Sequence, residues 1–414
     1  MVSSVPVYNK NQKRINVRRP EIMDEVKEEV VIHYRSPLVE HIRANGSKYA
    51  FGNTSVRLAK EFGFCYGVER AIDLAYAARR YFPIQEPVYI LGEIIHNAHV
   101  NEQIRDMGVT FLSGQYKGAD VADLKEGDAV VIPAFGTEVN IREELIQKGC
   151  TIIDATCGDV MSVWRRVRQN ARHNVTSVIH GKAWHEETMA TSSQATSKGG
   201  QYLVVFNLEE TDYLCQFIVN GGDRDEFLNK FDGAYSDGFD PDIHLKAIGV
   251  ANQTTMMRGE TEEVQRRIRQ AMIKRFGKEK LEDHFRFFDT ICGATQDRQD
   301  ALRDLLNREM DLLLVVGGYN SSNTAHLAEL GEQKIPTYFI KDAEELISAE
   351  ILNHFLQEKH QMSSTKNWLN IEGGLVFGVT AGASCPNNLI EQVILRVFEL
   401  RGESTETLLE SIQA

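Results

Sequence analysis

From Val56 onward the pattern of hydrophobic and polar positions repeats one unit: a short apolar run of strand length, a small polar or glycine-rich turn, then apolar residues at three-to-four spacing. That alternation predicts strand, turn and helix in succession, and hence an α/β fold on parallel sheets. Nine such units can be counted. Three fill Val56 to Gly149, with turns GFCYG, HN and FGTE. Three more span Thr151 to about Lys280, with turns TCGD, KAWHEE and NQTT, and the last three run from Phe285 to Arg401, with turns ICGA, YNSSN and GASCP. The chain therefore divides into three similar α/β domains at 56–150, 151–284 and 285–401. A polar insertion is expected at 202–242, an amino-terminal extension at 1–55 and a C-terminal tail at 402–414.

Each triplet opens on a turn in which cysteine is followed by glycine within two residues: Cys65-Tyr66-Gly67, Cys157-Gly158 and Cys292-Gly293. In open parallel sheets ligands bind beyond the carboxyl ends of the strands, where helix amino termini also point. Three domains offering one cysteine each from the same position predict a pseudo-threefold arrangement around a central site.

Composition narrows the reading. At 414 residues the chain exceeds the roughly 250 to 300 at which single cores stop growing. With 42% hydrophobic and 25% charged residues it falls in the soluble globular class. Lys plus Arg minus Asp plus Glu is 46 − 59 = −13, which leaves no basic footprint for nucleic acid, so an anionic substrate needs a local site. The longest apolar runs, such as Asp311 to Gly318, fall far short of the roughly 20 residues that span a bilayer. The first 20 residues carry no apolar run, which predicts no secretory signal and a cytoplasmic location, with a plastid transit segment as the alternative. Six cysteines spread over such a chain point to metal or catalytic use rather than a disulfide framework.

A cysteine at a helix amino terminus is expected to have its thiolate stabilised, and so to be a better metal ligand. Cys65, Cys157 and Cys292 are the candidates; Cys150, Cys215 and Cys385 read as packing residues. Three thiolates can hold zinc with one open position, or a cubane iron-sulfur cluster whose fourth iron lacks a protein ligand, and softness does not choose between them. At the same sheet edges lie His96 with Asn97, His185 with Glu187, Thr254 with Thr255, Ser321, Ser322 and Asn323, and Ser384. Hydroxyls, amides and imidazoles converging with helix amino termini suit a phosphate or diphosphate. Glu187 is the carboxylate placed for proton transfer.

The residues resemble the iron-sulfur 4-hydroxy-3-methylbut-2-enyl diphosphate reductase (IspH/LytB) family, over about Val56 to Arg401. The motifs are GFCYGVERAI at Gly63 to Ile72, EIIHN at Glu93 to Asn97, DATCGDV at Asp154 to Val160, HEETMAT at His185 to Thr191, NQTT at Asn252 to Thr255, ICGATQDRQ at Ile291 to Gln299, NSSNT at Asn320 to Thr324 and TAGAS at Thr380 to Ser384. The resemblance implies a trefoil in which Cys65, Cys157 and Cys292 hold a [4Fe-4S] cluster, open at one iron and apt to be found as [3Fe-4S]. It implies that His96, His185, Thr255, Ser321, Ser322, Asn323 and Ser384 bind the substrate, that Glu187 delivers protons and that Thr254 helps relay them. The implied reaction is the reductive dehydroxylation of the allylic diphosphate to isopentenyl and dimethylallyl diphosphate, last in the methylerythritol phosphate route. One departure stands out. Many members carry Ala-His-Gly where this chain reads Ala134-Phe135-Gly136, so a diphosphate-binding histidine is missing. That turn and the long extension resemble the cyanobacterial and plant branch, which implies ferredoxin as electron donor, with flavodoxin as the alternative, and a monomer or homodimer. Two other readings use the same residues: a zinc hydrolase with Glu187 as general base, and a noncatalytic diphosphate-binding protein.

Overall fold

All nine apolar runs form strands and all nine following segments form helices. The computed structural model describes residues 15–288, 290–369 and 373–413. Its strands are β1 (Lys48–Phe51), β2 (Thr54–Leu58), β3 (Val88–Ile90), β4 (Val109–Phe111), β5 (Ala129–Ile132), β6 (Thr151–Asp154), β7 (Thr176–His180), β8 (Tyr202–Val205), β9 (Ile248–Asn252), β10 (Phe285–Phe287), β11 (Leu312–Val316), β12 (Thr337–Ile340), β13 (Ile351–Leu356), β14 (Gln361–Lys366) and β15 (Leu375–Ala381). Strands β5, β7, β9 and β11 are buried along their whole length, as parallel strands covered by helices on both faces must be. The helices bury one stripe each. In Gly158–Arg172 it consists of Val160, Val163, Trp164, Val167 and Ala171, and the chain turns away at Asn174, whose φ of 54° asparagine tolerates.

Strand pairing revises the domain boundaries. The sheets run β4-β3-β5-β6, β8-β7-β9-β10 and β12-β11-β15-β2, the last extended by antiparallel β1. Every other pairing in these sheets is parallel. The strands beginning near 56, 151 and 285, expected to open their own domains, instead close the sheet of the preceding one, cyclically. Thus β6 pairs with β5 from Ala129↔Thr151 to Ile132↔Asp154, β10 pairs with β9, and β2 pairs with β15. The helix after each of them packs on the next sheet: Tyr66–Tyr81 in the core of β3 and β5, Gly158–Arg172 against β7 and β9, Gly293–Leu305 in the core of β11 and β15. The physical boundaries therefore fall at the cysteine turns.

Three further expectations are corrected. Residues 202–242 are no surface insertion. They supply β8, and Leu214, Phe217, Phe227, Phe231 and Phe239 are buried in the second core. Within the expected extension, helix Pro20–Tyr34 buries Met23, Val26 and Tyr34 in the first core while Pro37–Ala44 buries Leu38, Val39 and Ile42 in the third. Residues 1–14 lie outside the described residues. The expected tail forms a helix, Thr405–Gln413, whose Leu408 is fully buried. Among the described residues, no helix is long and apolar enough to cross a membrane.

Candidate active site

Cys65, Cys157 and Cys292 are each the N-cap residue of the helix that follows. Their backbone amides bind equivalent carbonyls: Cys65 N donates to Ala383 O (3.3 Å), Cys157 N to Ala134 O (2.8 Å) and Cys292 N to Thr254 O (3.3 Å). Each acceptor lies two residues beyond the end of a third-unit strand, β15, β5 or β9. This repeated bond carries each sheet's parallel pairing on to the cysteine and fixes the three turns in the same way. Arg298, buried, ties two of them further by donating to Gly63 O at 3.2 and 2.6 Å and to Ala294 O at 2.8 Å. A Cβ on Gly67 would lie 2.6 Å from Cys157 Sγ and 3.8 Å from Cys65 Sγ, so only glycine leaves room for the two sulfurs there.

At Cys157 and Cys292 burial opposes the expected lowering of the thiol pKa. It pushes Cys157 up and Cys292 up to about 12, against the helix-terminal amides of Asp159 and Val160 in one case and the hydroxyl and amide of Thr295 in the other. Neighbouring Cys65 pushes both the same way, which places it within electrostatic reach of each. Thiols in such a pocket become thiolates when a metal binds. Three thiol side chains meeting in one pocket, with the space that Gly67 leaves beside two of the sulfurs, fit a metal group held by thiolates. Cys150 and Cys385 are buried in apolar cores and Cys215 packs, partly buried, against the second core, in keeping with packing roles. No two of the six cysteines, all described, form a disulfide.

Beside the cysteines, Glu187 and Thr254 meet. Thr254 donates from its amide to Glu187 Oε1 (2.6 Å) and from its hydroxyl to Oε2 (3.0 Å). Burial nonetheless dominates and raises the Glu187 pKa to about 7. His185 caps its helix and accepts the Glu187 amide at Nδ1 (3.1 Å), which assigns its proton to Nε2; burial holds its pKa well below 6.5. The ring of His96 meets that of His185 edge-on at 5.2 Å and stacks on Phe135 at 4.8 Å with planes 11° apart. Phe135 thus occupies the site wall, where an imidazole would have offered a donor.

Ser321, Ser322, Asn323 and Ser384 are buried and close the third side, and Thr255 is partly buried. Ser384 Oγ donates to His96 O (3.2 Å) and approaches Ser321 Oγ (3.4 Å), while Asn323 Oδ1 accepts the Ala383 amide (2.9 Å). His96 Nε2 and Asn323 Nδ2 are buried without a hydrogen-bond partner, a feature that calls for a ligand. Asn97 serves as a cap, accepting from Val100 N. Two residues escaped the sequence reading. Glu93 accepts from His96 Nδ1 (3.1 Å), Asn320 Nδ2 (2.9 Å) and Gln115 Nε2 (3.1 Å), and its signal was the i, i+3 spacing to His96. Gln253 donates to Thr255 Oγ1 and Ser322 Oγ, joining the second domain to the third; it had no signal beyond its place in NQTT.

A three-domain α/β trefoil with one cysteine per domain at its centre defines the class. Comparison with known proteins then gives the family: a sequence model of the LytB protein family matches residues 56–398, and the chain belongs to that family. It is 45% identical to a 4-hydroxy-3-methylbut-2-enyl diphosphate reductase of Thermosynechococcus vestitus over 92% of this chain and 94% of the relative. It is also 45% identical to one of Gloeobacter violaceus over 91% and 90%. A solved (E)-4-hydroxy-3-methyl-but-2-enyl diphosphate reductase, described as the terminal enzyme of the non-mevalonate pathway, superposes with a TM-score of 0.51 at 29% identity, covering 84% of this chain and all of the other. The Plasmodium falciparum reductase structure shares the fold, with a TM-score of 0.59 over 82% of this chain and 86% of the other at 24% identity.

Proposed function

We propose that this chain is a 4-hydroxy-3-methylbut-2-enyl diphosphate reductase, removing the allylic hydroxyl with two electrons and two protons to give water and isopentenyl or dimethylallyl diphosphate. The observation that carries the reading is the convergence of three helix-capping cysteines on the Glu187–Thr254 pair, in a chain of this family. Cys65, Cys157 and Cys292 would hold a [4Fe-4S] cluster, which when bound supplies the electrons and a Lewis-acidic iron. Reduced ferredoxin is the donor that the family branch suggests.

The remaining chemistry belongs to the chain's own residues. The unpartnered Nε2 of His96 and Nδ2 of Asn323, with His185, Ser321, Ser322, Ser384 and Thr255, form the diphosphate end. Glu93 keeps the His96 ring oriented by accepting a hydrogen bond at Nδ1. Glu187, its pKa near 7, can stay protonated at neutral pH and deliver that proton to the departing hydroxyl, with Thr254 Oγ1 between carboxyl and substrate. The buried ring excludes bulk water from this transfer.

Iron and acid-labile sulfide per chain, measured after anaerobic purification and followed by reduction with substrate, test the reading. Four of each with substrate consumed is the expected result, and Cys157→Ser should lose both cluster and turnover. Zinc without sulfide, and no turnover after reconstitution, would instead favour the hydrolase.

A further inference from the structure

We propose that His96, His185 and Glu186 form a second metal site, separate from the cysteines, for a divalent ion of the zinc class. Their ligand atoms all lie within 4.8 Å of one another. Glu186 Oε2 is 3.6 Å from His96 Nε2 and 3.9 Å from His185 Nδ1. A tetrahedral zinc with bonds of about 2.0–2.2 Å to nitrogen and oxygen separates its ligands by about 3.3–3.5 Å, so the two imidazoles, within 4.8 Å of each other, must approach, and the Glu186 contacts must shorten by movements of a few tenths of an ångström. Glu186 can make them, since its side chain is 52% exposed at the first position of its helix.

The surroundings of His96 match those of a metal ligand. Its Nδ1 donates to Glu93, which Gln115 and Asn320 also hold, while its Nε2 is buried, without a hydrogen-bond partner, and nearest the Glu186 carboxylate. A carboxylate on the far nitrogen orients a ligating imidazole and raises its basicity. Two imidazoles and one carboxylate are a donor set that zinc accepts, with the fourth position left to water. At His185 Nδ1 the ion would replace the hydrogen bond from the Glu187 amide. Glu186 has no part in the proposed reduction, and a carboxylate facing a diphosphate pocket needs a counter-charge. An ion seated there would occupy the ground between His96 and His185 and shut out the diphosphate. This last consequence rests on the proposed function; metal binding itself does not.

The test is equilibrium dialysis of the cluster-loaded protein, kept anaerobic so that its cysteines stay occupied, against buffered Zn2+, with zinc and iron measured together. One zinc per chain is expected in addition to the full iron content. Glu186→Gln and His96→Gln should each weaken zinc binding at least tenfold with iron and circular dichroism unchanged; the half-exposed Glu186 variant guards against misfolding. No stoichiometric zinc in the wild type, or equal zinc in the variants, would overturn the proposal. Steady-state kinetics then separates the two readings. Zinc should raise the apparent KM of the wild type more than that of Glu186→Gln, whereas stoichiometric, Glu186-dependent zinc without such competition would uphold the metal site and count against the diphosphate placement.

Discussion

Thr254→Val should move the alkaline limb of the pH–rate profile upward. The change removes the hydroxyl that donates to Glu187 Oε2 at 3.0 Å but keeps the amide that donates to Oε1 at 2.6 Å. Glu187 is raised from 4.5 to about 7 because burial outweighs both bonds. A hydrogen bond to a charged group contributes about 1.5–3 kcal/mol, and one pH unit corresponds to about 1.4 kcal/mol. Losing the hydroxyl should therefore carry the limb about 1–2 pH units higher, because the ionised form loses a donor while the protonated form loses less. The assay is kcat/KM against pH with reduced methyl viologen as electron source. Lower turnover is expected throughout, since the hydroxyl also lies on the proton path, but the position of the limb is a separate readout. Glu187→Gln should abolish both limb and most of the rate. An unmoved limb in Thr254→Val, or the same limb in Glu187→Gln, would refute the assignment. Stability has its own sign. A carboxyl whose pKa is higher folded than unfolded stabilises fully below about 4.5, and that contribution fades as pH rises to about 7. The full shift corresponds to about 3 kcal/mol, so raising the pH across that window should lower the wild-type Tm more than that of Glu187→Gln.

Gly67→Ala would set a methyl 2.6 Å from Cys157 Sγ, so iron content should drop well below the wild type while far-ultraviolet circular dichroism stays the same. Phe135→Ala removes the ring stacked on His96; at about 0.5–1.5 kcal/mol for an aromatic pair, KM should rise about 2- to 12-fold with kcat less affected. Phe227→Ala, fully buried in the segment expected to be a surface insertion, should cost about 3–5 kcal/mol in denaturant unfolding, where a solvated loop would lose under about 0.5 kcal/mol.

What was legible in the sequence was local. The nine strand, turn and helix units show themselves by periodicity, and the cysteine turns by Cys with Gly close behind. Hidden were the properties decided by pairing at a distance. Whether Thr151–Asp154 joins the strands before it or after it depends on which backbone it meets, and nothing in TIID records the choice. Strands β4, β8 and β12, one at the outer edge of each sheet, also went uncounted. The sequence marks the thiols as helix caps but not the burial that pushes Cys157 and Cys292 up. Phe135 was legible only as a loss; that its ring lies flat on His96 could not be read from a turn 39 residues away.

The repeated architecture also separates the parts of the proposed site by purpose. Cys65, Cys157 and Cys292 are three like residues in three like positions, each hung from a carbonyl two residues beyond the strand that pairs with the one before it. The residue after each of those carbonyls occupies the next equivalent position, and there the three differ: Phe135, Thr255 and Ser384. The second-unit turns differ likewise, offering His96, His185 and Ser321. A metal group held by three thiolates asks the same thing of each domain, so threefold repetition serves it. A diphosphate joined to a short carbon chain has two unlike ends and no threefold axis, so it can be oriented only where the repetition breaks. The break is concentrated in these six residues, with Glu187 and Thr254 on one flank alone. An exchange between equivalent positions, such as Phe135→Ser, should therefore leave the iron content intact and disturb substrate affinity; loss of the cluster in that variant would contradict the division.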